Sequence, residues 1–475
     1  MAAATPAHAE DGSDDTRPVD IPLIVGEELL VFVPPVIWYW RTAEHQAIDW
    51  ELDWDLDSWR KKLTFEKVLF DTNPFFVNAI RHPTKGVLDY QIARANGLAM
   101  GGATVFATVM GAAWEYLIEY REDPSINDLI FNTSGGIAIG EPLWEFGQLW
   151  RGGALSYGDR VRTALFAPFD ALGDTIRVPH RWWRPRPWRS IELAGGAGTR
   201  RFAGASRGEL LVGADLELVD DPHYLTDDVH SGRVAPGAWN RIVARFRFGD
   251  ENVDHDLTGA YVHSRTSIVG RLSQNGGTSR FLGVGTAFTY DKEALPHEWD
   301  KLAVAHLLGL QLALSHRTPE YVLRWDLGSY ADFALVQAHV FGPDPPFPPA
   351  PPYRSTLQAN GYYDGAGTST MTRFRADTRY VGLDVEVSAH RWWQIGGADR
   401  DPVEMKATAG TTTVPPTPQD TSDDRVFWRA ALAAHPDDRW SVAATADGAY
   451  RRGTWEALDR RTSELTAGLL LQLAL

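Results

Sequence analysis

The sequence predicts an α+β membrane protein: an N-terminal helical domain followed by an antiparallel transmembrane β-barrel of about twelve strands, within a range of ten to fourteen. Three observations predict it. From about residue 190 to the end, apolar residues alternate with polar or small ones in segments near ten residues long, the length of a tilted membrane-spanning strand. The polar alternates carry full charges, as a water-filled lumen requires. Tryptophan and tyrosine gather near the segment ends, where interfacial girdles of such barrels lie.

Composition is compatible with this class. With 475 residues, 44% hydrophobic and 23% charged, the chain resembles a soluble protein. A barrel strand spends every second residue on a polar lumen, so modest average hydropathy does not separate the two. The absence of cysteine excludes a disulfide framework, a thiolate metal site and a cysteine nucleophile. A net charge of −16 argues against general nucleic-acid binding, which needs a basic footprint.

Residues 1–20 read as a signal-peptide remnant or a disordered tail, because Ala7-His8-Ala9 has a small-x-small form without the charged and apolar regions of a complete signal peptide. Residues 21–160 are mainly helical in pattern and read as a plug or periplasmic domain. Within them, Asp49, Glu51, Asp53, Asp55 and Asp57 alternate with Trp50, Leu52, Trp54 and Leu56, the pattern of a strand with an acidic edge. These carboxylates are weak metal candidates, since an extended strand spreads alternate side chains ~7 Å apart whereas calcium is wrapped by loops.

Ala95 to Trp114 holds no charge and reads as one helix. Small-residue rows Gly97/Gly101 and Ala103/Ala107/Gly111 suit close packing against protein, inside the barrel or across its periplasmic mouth. Glu115 and Glu119 share a helix face, able to hold a metal, act as acid and base, or pair with Arg94 or Arg121. Ser125 reads as an N-cap, with Asp128 completing a capping-box-like arrangement. Gly135-Gly136 and Gly140 allow a turn or a close helix crossing.

Residues 161–189 read as a linker and 190–475 as the barrel. In Arg241 to Phe248, Ile242, Ala244, Phe246 and Phe248 share one face while Arg241, Val243, Arg245 and Arg247 share the other. Val381, Leu383, Val385 and Val387 alternate with Asp384 and Glu386, and the chain closes on Leu465, Ala467, Leu469, Leu471, Leu473 and Leu475. Further strands are expected at 352–364 and 367–377, and an even number would set both ends on the periplasmic side. His435 to Asp438 is then a short periplasmic turn and 396–424 a long external loop. Asp220 to Gly237 and Gly342 to Pro352 are long wherever they fall. Trp239, Tyr261, Tyr330, Trp392, Trp393, Trp428 and Trp440 are expected among the interfacial aromatics.

In order and spacing, Asn78, His82-Pro83, Gly86, Ala93-Arg94, Asn96-Gly97, Trp114-Glu115, Glu119, the run Pro124 to Leu129 with Ser125, Asn127 and Asp128, then Gly135-Gly136 and Gly140-Glu141 resemble an uncharacterised bacterial family, domain of unknown function 3943. The resemblance covers about residues 70–148, with Asn132 and Trp144-Glu145 departing from its pattern. It implies a Gram-negative outer membrane, with the helical domain ahead of a barrel, and no established reaction.

Among these residues His82, Glu115, Glu119 and Asp128 are the catalytic candidates. His82 reads first as a structural brace and second as a general base partnered by Glu115 or Asp128. No phosphate loop, dinucleotide fingerprint, zinc-protease motif or nucleophile elbow stands at a strand–helix junction, and no cofactor is expected. The expected function is a non-enzymatic structural or solute-passage role in contact with outer-membrane lipid. The alternatives are an enzyme acting on envelope lipid or cell wall, and an adaptor for a periplasmic protein partner.

Overall fold

Twelve staves close into one barrel. In the computed structural model, which describes residues 18–46, 55–66, 68–70, 73–151, 156–176, 187–202, 204–249, 257–295, 298–341, 361–396, 421–455 and 458–475, the strands are β1 (Trp188–Phe202), β2 (Ala205–Val219), β3 (Val229–Val234), β4 (Trp239–Gly249), β5 (Leu257–Asn275), β6 (Thr278–Leu295), β7 (Glu298–Arg317), β8 (Tyr321–Gln337), β9 (Tyr362–Thr378), β10 (Val381–Gly396), β11 (Thr421–Ala434), β12 (Trp440–Trp455) and β13 (Leu458–Ala474). Each pairs antiparallel with its neighbours, β13 returns to β1 through pairs such as Leu193↔Leu473, and β5 closes onto β6. Closure leaves no open sheet edge to aggregate.

The short β3 is not a thirteenth stave. It pairs with residues 270–275 of β5 while β4 pairs with 257–266 of the same strand, so the two form one stave broken at Pro236-Gly237. Proline there cannot donate to a ladder, and Gly237 takes a φ of +76°, which a side chain would disfavour. This stave start lies inside the stretch expected to be loop. Of the two strands expected at 352–364 and 367–377, residues 352–360 lie outside the described residues, and 362–377 run as one strand, β9, because the small and polar run from Asp364 to Thr372 keeps its alternation without a turn.

The two faces of the wall differ as the alternation requires. Arg241, Arg245, Asp215, Arg373, Asp384 and Glu386 point inward and pair across the lumen: Arg241 reaches Glu386, although β4 and β10 stand opposite each other in the ring. The outward face carries Leu193, Leu310, Leu383, Leu432 and Leu469, exposed as a lipid-facing band. Of the expected interfacial aromatics, Trp393, Trp428 and Trp440 are exposed on this face. Trp239, Tyr261, Tyr330 and Trp392 instead point into the lumen, where Tyr261 meets Arg245, Tyr330 meets Gln311, Trp392 meets Asp332, and Trp239 stacks on Phe281. Alternation assigns a side chain's face only once the register is fixed, and one position of slip reverses it.

The turns at 276–277, 318–320, 379–380 and 435–439 lie at the end that holds the start of β1 and the end of β13, and the connections spanning 338–361 and 397–420 lie at the other. The two longest connections mark the external end, although short ones also join β6 to β7 and β12 to β13 there and the longer segment 220–228 lies at the periplasmic end.

The helices are α1 (Ile21–Gln46), α2 (Leu56–Leu63), α3 (His82–Ala95), α4 (Met100–Ala113), α5 (Ile126–Gly135), α6 (Glu141–Arg151), α7 (Tyr157–Phe166) and α8 (Pro168–Ile176). Three π-helical turns, Val77–Arg81, Trp114–Ile118 and Gly136–Gly140, extend or join them. Residues 95–114 are not one helix: α3 ends at Ala95, Gly97 takes φ +95°, and α4 starts at Met100. The Ala103/Ala107/Gly111 row is buried as expected, while Gly101 faces open space. The stretch expected to be a linker carries most of α7 and all of α8.

The acidic segment also differs. Residues 47–54, with Asp49, Glu51 and Asp53, lie outside the described residues, but Asp55 caps α2 by accepting the Ser58 N–H at 2.8 Å, which holds its carboxyl below the usual range. Asp57 pairs with Lys61 at 2.6 Å one turn on. Helix capping and an i,i+4 pair therefore use the carboxylates assigned to a strand edge.

The helices run along the outward face of the wall. Phe75 and Phe131 bury against Phe288, Phe333, Leu335 and Tyr362 toward the external end, and Phe146 buries against Ile191, Leu216 and Leu218 toward the periplasmic end. All these barrel residues have the parity opposite to Arg241. The positions expected for this domain were the lumen, as a plug, or the periplasm. Ion pairs that meet from opposite staves occupy that interior, whereas the outward apolar face offers a dry packing surface.

Candidate functional site

The four catalytic candidates converge in the helical domain. His82 opens α3 directly after the π-helical turn Val77–Arg81, and its Nε2 lies 3.3 Å from Asp128 Oδ2, with both side chains nearly or fully buried. Ser125 N-caps α5 by accepting the Asp128 N–H at 3.3 Å. The Asp128 carboxylate faces His82, so the capping-box role expected of it is not formed. Glu115, in the second π-helical turn, accepts the Ser125 N–H at 2.9 Å. Lys62 of α2 is fully buried beneath them and donates from Nζ to the carbonyls of Glu115 and Glu119, at 2.9 and 2.7 Å.

Glu115, Glu119 and Asp128 each place an oxygen within 4.8 Å of the others. That donor set suits a hard divalent cation. Beside it, His82 and Asp128 can exchange a proton. The local reason for the convergence is helix geometry: π-helical turns widen the backbone by one residue and re-aim the side chains after them, a device common at functional sites.

Arg94 does not join this group. It donates from Nε and Nη2 to Glu141 at 2.9 and 3.1 Å, stacks over Trp144 at 3.7 Å, and shares Glu141 with the Tyr90 hydroxyl at 2.8 Å. Asn96 donates to the Ile92 carbonyl and to Glu27 of α1. Asn78 ties the domain to the barrel through the Tyr362 hydroxyl at 3.1 Å. Gly135 and Gly136 serve a helix crossing: a Cβ on Gly86 would lie 1.8 Å from the Asn132 carbonyl oxygen, and one on Gly135 2.6 Å from Pro83 Cα. The motif residues thus divide into a carboxylate–histidine cluster, an arginine clamp and close-contact glycines.

The lumen holds a second site. Arg241, Arg245, Arg373 and Asp384 line a cavity of about 590 Å³ that reaches the periplasmic turns at Arg379 and His435. Beside that opening, the segment 220–228 folds inward: Tyr224 and Leu225 pack against Trp239 and Phe281, and Tyr224 Oη meets Ser315 Oγ at 2.9 Å. Leu225 holds a left-handed φ of +55°, a conformation that costs ~1–3 kcal/mol for a side chain of this kind and is fixed here by its N–H to Ser279 Oγ at 3.0 Å. At the external end, residues 338–341 cross from β8 to β12 and β13, with His339 Nε2 3.0 Å from Thr462 Oγ1 and its carbonyl accepting Arg460 Nη1 at 2.9 Å. Below this strap, Asp300 takes Arg425 at 2.8 Å and also Arg451, which reaches Glu464 at 3.0 Å.

A chain of polar side chains runs around the inner wall between them. His263 Nδ1 meets Thr289 at 3.0 Å, Thr289 meets His306 Nε2 at 2.9 Å, and His306 Nδ1 meets Asp332 at 2.7 Å. Asp332 also takes the Ser369 hydroxyl, and Ser369 contacts His390 Nδ1 at 2.6 Å. Sequence reasoning missed these residues. Their one signal is parity: His263, His306 and His390 each stand on the lumenal alternate of a strand, which can be read only once the register is known.

Residues 67–169 match the family model described as Domain of unknown function (DUF3943). No curated protein matches the chain. Among solved structures, the chain is similar to the translocator domain of the autotransporter NalP from Neisseria meningitidis, at 10% identity over 60% of this chain and 87% of that one, with a TM-score of 0.22. It is similar to a mutant of the monoaromatic hydrocarbon channel TodX at 10% identity over 62% and 91%, TM-score 0.23. A FadL homologue of Pseudomonas aeruginosa matches at 9% identity over 60% and 89%, TM-score 0.24. The strand pairings establish the fold by themselves: the chain forms a closed antiparallel β-barrel of twelve staves with N-terminal helices.

Proposed function

We propose that the barrel admits a small polar or amphipathic solute from the periplasmic side and passes it when the external strap and its ion pairs release, without catalysing a reaction. One observation carries this reading: a charged cavity of about 590 Å³, reached beside the periplasmic turns and closed toward the outside by 338–341 and the Asp300 ion pairs. Facing rows of arginine and carboxylate suit a solute with charges of both signs. Conductance across planar bilayers tests it. The wild-type protein is expected to show rare openings, and His339→Ala with Arg460→Ala is expected to open far more often. If both proteins stay silent and exclude small solutes from liposomes, passage is refuted.

The convergence of His82, Asp128, Glu115 and Glu119 favours a second reading, hydrolysis of envelope lipid or cell-wall material. Loss of activity on extracted envelope lipids in a His82→Ala variant that still folds would support it, and full retention would reject His82 as a base. Docking of a periplasmic protein is a third reading, tested by cross-linking the full chain in native envelopes; recovery without any linked partner counts against it.

A further inference from the structure

Along α1 and α4 the helical domain is inside out. The charged groups between α1 and α3 face inward: Glu28 of α1 lies 3.5 Å from Lys85, which pairs with Asp89, and Glu27 takes the Asn96 amide. The outer surfaces of α1 and α4 are apolar, while the exposed charges of the domain, such as Asp57, Arg60 and Arg162, lie on α2 and α7. From Ile21 to Trp40, every exposed residue of α1 is apolar, glycine or proline, and Ile21, Val25, Leu29, Val33 and Ile37 form one stripe at four-residue spacing. The exposed residues of α4 are Gly101, Gly102, Val105 and Val109, with no polar side chain among them. A water-facing helix would carry charged or polar residues on that face.

Length and position agree. The stretch Ile21–Thr42 has 22 residues, of which 17% of the most apolar window is buried, and at ~1.5 Å per residue it spans ~33 Å, enough for a hydrocarbon core of ~30 Å. Pro34 and Pro35 lie inside α1, a placement membrane helices tolerate. The buried row Ala103/Ala107/Gly111 lets α4 approach its neighbours closely, as small residues do between helices in lipid. The bundle spans the height of the wall it covers, from Leu218 at one end to Tyr362 at the other, so its apolar surface continues the barrel's own lipid-facing band.

We propose that the helical bundle is itself embedded in the outer membrane, with α1 and α4 turned to lipid acyl chains beside the barrel. The occupant of this surface is lipid rather than a second copy of the chain, because the surface is continuous with a band already in contact with lipid.

The absence of cysteine makes the test direct. Leu29→Cys and Val105→Cys, each carrying a nitroxide in the full chain in outer-membrane lipid vesicles, are compared with Leu310→Cys on the barrel band and Val229→Cys near the periplasmic turns. Collision with oxygen relative to a water-soluble nickel chelate is expected to be several-fold higher at 29 and 105 than at 229, and equal to that at 310. Nickel accessibility at 29 and 105 matching that at 229 would overturn the proposal. So would dipolar broadening between labels at 29 on two copies, or a mature protein from which α1 has been cleaved. Solute passage can fail while this result stands, because the two readings rest on opposite faces of the wall.

Discussion

Replacing Asp300 with asparagine removes one charge from the ion-pair network beneath the external strap. Asp300 is 4% exposed and serves two fully buried arginines: Arg425 contacts both of its oxygens, at 2.8 and 2.9 Å, and Arg451 donates from Nε. Breaking a buried pair by removing one partner costs ~3–5 kcal/mol, because the remaining charge is left without compensation. Here the loss is moderated. Arg451 keeps Glu464 at 3.0 Å, and Arg425 keeps the Gln337 carbonyl at 3.1 Å with Asp423 at 3.8 Å. The lower bound applies, so Asp300→Asn is expected to destabilise the barrel by about 3 kcal/mol, or roughly a hundredfold in the folding equilibrium.

Urea unfolding in lipid vesicles, followed by tryptophan fluorescence, measures it. A cycle with Arg451→Met separates the pair from its surroundings: the double variant is expected to recover at least about 1 kcal/mol relative to the sum of the single losses. A loss below about 1 kcal/mol for Asp300→Asn, of the order seen for exposed pairs, would refute the reasoning. It would mean that water screens these groups and that the external end is open.

Other perturbations report on other parts. Gly86→Ala is expected to disrupt the α3–α5 crossing, since its Cβ would lie 1.8 Å from a backbone oxygen; overpacking of this kind costs ~1–3 kcal/mol, read as early loss of helical circular dichroism on heating. Tyr224→Ala removes the ring packed on Trp239, with an expected loss of ~3–5 kcal/mol and increased uptake of a small fluorescent solute through the periplasmic mouth. Arg94→Lys keeps the charge but cannot make the paired bonds to Glu141, so the bundle is expected to become protease-sensitive while the barrel keeps its heat-modifiable gel migration.

Much of the barrel was legible because strand alternation is a local pattern with one physical cause. Arg241, Arg245 and Arg247 opposite Ile242, Ala244 and Phe246 already describe a stave with a wet and a dry side. What alternation does not encode is which loop turns inward. Tyr224 and Leu225 sit in a stretch without periodicity, and their burial depends on Trp239 and Phe281 meeting them from other strands. Likewise, the uncharged run from Ala95 to Trp114 was visible, but not that Phe131 meets Phe333 on the outside of the wall. For the candidate site, the sequence supplied all four residues. It could not supply their distances, which follow from π-helical turns that shift His82 and Glu119 away from ideal helical spacing.

The attachment of the helices to the barrel has a kinetic consequence. Asn78 reaches Tyr362 across 284 positions of sequence, and the Tyr362 hydroxyl in turn reaches the Asn73 carbonyl across 289. Contacts of such separation form late, since loop closure must precede them. The helical domain, which precedes the barrel in the chain, therefore waits for staves β6 to β9 before its docking wall exists. During that interval its apolar stripe lacks the wall it will finally rest beside, so assembly is expected to depend on periplasmic holding chaperones more strongly than assembly of the barrel segment alone.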